Sequence, residues 1–198
     1  LNFKILIIAT VLAQQVFSAG QTAMMADYRD GKRYETVKIG TQTWMAENLN
    51  YDLNGSICYG NNPANCAIYG GLYNWERAMK ACPSGWHLPT KEEWEVMTSY
   101  IGGAEKEGKR LKAANGWNRS GWSKNGIGTD SYNFSALPGG SGNSGGSFYG
   151  LGSNGYWWSS SESSNRTAYR RFMHYLSESA IWKSEDKNEL FSVRCLKN

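Results

Sequence analysis

The chain is poor in the residues from which metal centres and acid–base pairs are made. It has two His and four Cys, and no CxxC or HxxxH spacing joins them, so ligand sets with familiar metal geometry are missing. One-sided charge is missing too. The formal net charge is +4, spread along the chain with no run of five basic residues, so charge lends nothing to nucleic-acid binding. No apolar run approaches the roughly 20 residues that cross a bilayer. Charged residues at 19% and hydrophobic residues at 40%, with mean hydropathy −0.56, exclude both a disordered tail and a multi-span membrane protein. At 198 residues the chain has the size of one ordinary domain. What it does have is 23 Gly, nine Trp and 12 Tyr against four Pro, a composition for a loop-rich fold filled by a few large aromatic side chains.

The first residues are Leu1-Asn-Phe-Lys4, then Ile5-Leu-Ile-Ile-Ala-Thr-Val-Leu-Ala13, then Ser18-Ala19-Gly20. A basic start, a short apolar stretch and a small-residue exit have the layout of a secretory signal, residues 1–20. Cleavage is expected after Gly20, or after Ala19. No Cys follows, so no bacterial lipid anchor is expected there. A retained helix of a pilin-like subunit lacks the acidic residue expected near its start, and a buried helix would carry its apolar residues on one stripe. Export is the reading that results, with a lead-in at 21–33 and one domain at 34–198.

Export makes the cysteines disulfide candidates. Cys58 and Cys66 flank the turn-rich Tyr-Gly-Asn-Asn-Pro-Ala-Asn, which can bring their Cα atoms to bridging distance. Cys82 is then left to pair with Cys195, a long loop whose closure is worth ~4–5 kcal/mol. A metal site on Cys58, Cys66 and His87 is the weaker alternative, and no metal or other cofactor is expected.

Residues 34–39 and 43–49 read as a hairpin, anchored by Val37, Ile39, Trp44 and Leu49. Trp75, Ala78, Met79 and Cys82 recur at helical spacing over 74–81, placing Cys82 on the buried stripe. Thr90 and Glu93 form a capping box for a second helix, whose face is Trp94, Met97 and Ile101 and which Gly102-Gly103 ends. Residues 116–148 read as loop. Strands follow at 155–160, 167–176 and 190–196, the last alternating Phe191, Val193 and Cys195 inward. The expected class is α+β.

The motifs that could carry chemistry have structural explanations. Gly140-Ser-Gly-Asn-Ser-Gly145 matches GxGxxG but joins no strand to a helix, so it reads as a surface loop. Glu92, Glu93 and Glu95 suit the positive end of a helix dipole. His87, beside a helix start, reads as a hydrogen-bonded structural residue, and His174 is open. No GxSxG elbow exists, and bridged cysteines leave no free thiol. Trp157-Trp158 lies in a strand, so the two rings face opposite ways. Either one enters the core and the other offers a stacking surface to a sugar or peptide, or both pack beneath the loops.

Several segments together resemble the Fibrobacter succinogenes major paralogous domain. They are Asp30-Gly-Lys32, Lys38-Ile-Gly-Thr-Gln-Thr-Trp-Met-Ala-Glu-Asn-Leu-Asn-Tyr51, Tyr69-Gly-Gly-Leu-Tyr-Asn-Trp75, Ala78-Met79 and Cys82-Pro-Ser-Gly-Trp-His-Leu-Pro-Thr90. Further on come Glu93-Trp94, Phe134-Ser-Ala-Leu-Pro-Gly-Gly140, Trp157-Trp-Ser-Ser160 and Phe191-Ser-Val-Arg-Cys195. The likeness covers about residues 28–198. Asn133 and Leu190 depart from it, standing where Gly is expected before Phe. The resemblance implies a C-type lectin-like fold, distantly similar to formylglycine-generating enzymes. Such a fold has two helices, a small twisted antiparallel sheet and long loops that carry function, and a Cys82–Cys195 bond fits it. No Glu-Pro-Asn, Gln-Pro-Asp or Trp-Asn-Asp triplet supplies the calcium-dependent sugar site of true lectins. The copper-binding cysteine pair of the enzymes has no counterpart once both disulfides form.

The resulting expectation is a secreted or cell-surface, non-catalytic binding or adhesion module. Its partner would be a glycan or a surface protein, not nucleic acid, with no membrane span in the mature chain. Trp157, Tyr169, Arg171, His174 and Trp182 are the candidate ligand residues, mixing rings with hydrogen-bond donors. The alternative is a self-assembling structural subunit of a surface filament or envelope layer. An oxidoreductase would need free thiols.

Overall fold

The computed structural model describes residues 21–119 and 128–198; the expected signal sequence, 1–20, lies outside them. Ten strands and four α-helices are present among the described residues, a mixed α+β fold with more helix than the sequence predicts.

The largest sheet has five strands in the order β1-β2-β3-β10-β4. The predicted hairpin is β2 (Arg33–Ile39) and β3 (Gln42–Met45), paired from Thr36–Met45 to Ile39–Gln42. The lead-in contributes an edge strand, β1 (Gln21–Ala26), paired with β2 over six residues. β4 (Trp86–His87) and β10 (Leu196–Lys197) complete it, and β10 sits between β3 and β4. A second sheet holds β7 (Asn154–Glu162), β8 (Thr167–His174) and β9 (Ala180–Asp186). β5 (Ser141–Gly142) and β6 (Phe148–Tyr149) form a minimal pair. β5 falls within the GxGxxG string, and no helix follows it.

Helix α1 (Pro63–Tyr69) begins inside the segment read as a turn and runs past Cys66. Asn62 caps it by accepting from the Ala64 amide, and Pro63 stands at the first helical position, where its missing N–H costs nothing. α2 (Trp75–Ala81) is capped by Asn74. α3 (Lys91–Tyr100) has the expected box: the Thr90 hydroxyl accepts from the Glu93 amide and the Glu93 carboxylate from the Thr90 amide. Gly102-Gly103 does end α3, but α4 (Ala104–Leu111) begins directly afterwards. Its buried side includes Glu107 and Gly108 as well as Leu111, so hydrophobic periodicity does not reveal it. Asn133 takes φ 55°, the left-handed conformation that a Gly would adopt and that Asn tolerates.

Trp157 and Trp158 show how the layers stack. Adjacent in β7, they point to opposite faces, and both are fully buried. Trp157 joins a core with Val37, Ile39, Trp44, Trp94, Met97 and Phe134. Trp158 joins a second with Tyr34, Met45, Tyr73, Trp75, Phe191 and Cys195. The β7–β9 sheet therefore has packed aromatic cores on both sides, and neither tryptophan offers a stacking face to solvent.

Both disulfides are as expected, Cys58–Cys66 and Cys82–Cys195, and no cysteine is free. The segment 190–195 is not a ladder strand. It pairs in turn with Gly142, Tyr73 and Trp157 through single bridges, and its Val193 and Cys195 carbonyls accept from the Leu49 and Met45 amides. Phe191, Val193 and Cys195 are buried as predicted, and so are Ser192 and Arg194, because neighbours enclose the segment on every side.

Candidate functional site

Cross-strand register puts Trp157, Arg171 and Trp182 side by side, with Tyr169 two residues along β8 on the same face. Helices α3 and α4 roof this face, so its members differ in what they can reach. The Trp157 indole N–H donates to Asn48 Oδ1 at 2.8 Å. Arg171 is 1% exposed, and its Nε donates to Glu107 Oε1 at 2.8 Å. The Thr98 hydroxyl donates to Glu107 Oε2 at 2.7 Å, while burial pushes the Glu107 pKa up against the pull of Arg171. Trp157 and Arg171 are therefore corrected from ligand residues to core residues: the first is walled in by aromatic packing, the second ties β8 to α4.

Tyr169 and Trp182 stay half-exposed at the rim. The Trp182 N–H donates to the Glu95 carboxylate, and its ring stands edge-on to Tyr169 at 6.4 Å. The Lys91 ammonium lies 4.7 Å from the Tyr169 ring centre and 6.0 Å from that of Trp182. A cation already occupies the ring faces a sugar would need. His174 is on the opposite face of β8, where its Nδ1 accepts from the Leu176 amide at 3.3 Å. Burial and nearby Lys112 lower its pKa. Of the five candidates, the structure groups four on one face and separates His174.

The other motif residues are structural. His87 bridges Glu93, at 2.9 Å from Nε2, and Asn198, at 2.6 Å from Nδ1. Cys58 and Cys66 are bonded to each other, which overturns a metal site on those residues. No cluster of three or more His, Cys, Asp or Glu that could hold a metal exists among the described residues. No described helix is long and apolar enough to cross a membrane.

Sequence reasoning missed a sizeable concavity. A groove of about 450 Å³ lies where the chain leaves β3, between α1 and residues 135–137. Glu35, Glu47, Asn50 and Arg33 offer carboxylate, amide and guanidinium groups to it. Ile68, 59% exposed, adds an apolar wall. Partial burial and the neighbouring Glu35 charge push the Glu47 pKa up.

Asn48 forms the buried floor. Its Oδ1 accepts from Trp157 Nε1 at 2.8 Å and Arg194 Nε at 2.9 Å, and its Nδ2 donates to the Tyr69 carbonyl at 2.8 Å. Arg194 is fully buried and also donates to the carbonyls of Phe134 and Ser135, with the Phe134 ring centre 4.3 Å away. Among the described residues no carboxylate lies within ion-pair distance of it. Burial lowers its pKa, while the more distant Asp130 and Glu47 act the other way. Fully bonded buried networks of this kind fix geometry, so the groove has a rigid base. The available signal was Glu47-Asn-Leu-Asn50, a strand tail whose polar residues have no ladder to join.

No curated protein and no solved structure matches the chain. The model of the Fibrobacter succinogenes major domain matches residues 37–197, which include the groove residues Glu47, Asn48 and Asn50 and both partners of the Cys82–Cys195 bond. With most of its length so matched, the chain belongs to the Fibrobacter succinogenes major domain family.

Proposed function

We propose that this protein is an extracellular, non-catalytic binding or adhesion module that takes a glycan in the groove beneath β3. One observation carries the reading: side-chain carboxylate, amide and guanidinium groups converge on a concavity whose floor is a buried hydrogen-bond network. Sugar hydroxyls need donors and acceptors held in place, and a rigid floor reduces the ordering cost of binding. Two disulfides suit an oxidising compartment. A C-type lectin-like topology is our inference for the fold. It is supported by the late strand inserted into the first sheet and by the bond from the end of α2 to Cys195, just before that strand.

The test is a glycan-array screen of the purified protein, repeated with Glu47→Gln, Asn50→Ala and Trp182→Ala. Groove occupancy predicts at least tenfold weaker capture by the first two variants and unchanged capture by the third. Loss confined to Trp182→Ala would move the ligand to the late-strand face. A folded protein that captures no glycan would refute the reading.

A further inference from the structure

The five-stranded sheet has a half-covered face. Helix α2 packs over one end of it, where Ala78 and Ala81 meet Tyr34, Met45 and Cys195 and the Cys82–Cys195 bond clamps the helix down. Among the described residues, none covers the other end. Register pairs Gln21 with Lys38, Lys38 with Thr43, and Lys197 with Trp86. The Leu196–Trp44 pair sets Lys197 beside Thr43. One residue from each strand thus forms a row across the sheet: Gln21, Lys38, Thr43, Lys197, Trp86. All five line a groove of about 430 Å³. A second concavity of about 290 Å³ continues it, sharing Met25 and Trp86 and lined also by Tyr28, which is 96% exposed.

The first groove contains two lysines and no acidic side chain. Neither lysine is ion-paired among the described residues. They stand two strands apart, roughly 10 Å, and strand β3 between them offers the Thr43 hydroxyl. A ligand lying along this row crosses the strands, and the inner strands have already spent their backbone hydrogen bonds on one another. Recognition there falls to side chains: a ring face, hydroxyl and amide groups, and spaced positive charge. We propose that this row binds a polyanionic saccharide, a chain of sugars bearing carboxylate or sulfate groups. Trp86 stacks on a sugar ring, while Lys38 and Lys197 take successive anionic groups. The site shares no residue with the groove beneath β3 and stands whether or not that groove is occupied.

Calorimetric titration of the purified protein with polygalacturonate, dextran sulfate, neutral dextran and single-stranded DNA, at low and at moderate salt, tests this. Binding is expected with one or both anionic saccharides, weakened by salt, and not with neutral dextran. Lys38→Glu/Lys197→Glu should weaken it at least tenfold, Trp86→Ala at least threefold, and Glu47→Gln should leave it unchanged. Both lysines are exposed, so the double variant keeps the fold, and its thermal midpoint checks this. The proposal is overturned by any of four results: no binding of either anionic saccharide at low salt, an unaffected double variant, indifference to Trp86→Ala, or equally tight binding of DNA. Competition by an acidic peptide that adds to edge strand β1 would also overturn it.

Discussion

Replacing Cys82 and Cys195 together by Ala removes the covalent tie between α2 and the C-terminal segment, 113 residues apart in sequence. Loop-closure entropy for a separation of that order is about 4–5 kcal/mol. The Cys58–Cys66 bond closes a separation of eight residues, for which the same relation gives about 2–3 kcal/mol. Context widens the gap. Cys195 is fully buried in the core that holds Trp158 and Phe191, so its truncation also leaves a small void, whereas Cys58, just before α1, and Cys66, within it, are only half-buried. For a domain of this size each kcal/mol moves the midpoint by about 2–4 °C. Thermal unfolding followed by far-UV circular dichroism should therefore drop by roughly 10–20 °C for Cys82→Ala/Cys195→Ala and by roughly 5–10 °C for Cys58→Ala/Cys66→Ala. A larger fall for the second pair, or none for the first, would refute the ranking by loop length and burial.

Three further outcomes follow from the same packing. In Gly108→Ala the new Cβ would stand 2.5 Å from the Ser179 carbonyl oxygen, so α4 must shift off the segment leading into β9 at a cost of about 1–3 kcal/mol, and an unchanged urea midpoint would count against that close approach. Glu107→Gln strands the Arg171 guanidinium in the core and should cost about 3–5 kcal/mol, while Glu178→Gln, at the half-exposed Lys109–Glu178 pair, should cost under about 1 kcal/mol; equal losses in chemical denaturation would contradict the burial argument. Burial lowers Lys112 to about 8 from its ordinary 10.5. Between those values the unfolded chain holds more protons than the folded one, so stability rises as pH climbs from about 8, and Lys112→Met should flatten that rise in urea midpoints measured between pH 8 and 9.5.

Which features were readable in the sequence follows from how local their physics is. The box at Thr90 and Glu93, the Trp75 and Ala78 positions of the α2 stripe and the alternation in β2 each rest on local spacing, whereas Met79, expected on that stripe, is 44% exposed. Helix α4 stayed hidden because its inward side carries Glu107 and Gly108, whose burial makes sense only once Arg171 and the Ser179 carbonyl are opposite. β9 stayed hidden because Lys183, Ser184 and Glu185 leave its second half without apolar alternation. The site divides the same way. Tyr169 and Trp182 do reach the surface, but nothing in the sequence places Lys91 over them. Arg171 read as a donor for a ligand because its partner lies 64 residues away. The floor of the groove joins Asn48 to Arg194 across 146 residues, a meeting that only the closed fold creates.

The position of β10 bears on the order of assembly. A ribosome delivers β3 and β4 long before residues 196–197, so between them the nascent sheet has a gap that only those later residues fill. Until residues 195–197 arrive, β4 lacks its neighbour and Cys82 lacks its mate. The first sheet therefore closes late, after every residue of the β7–β9 sheet has been made.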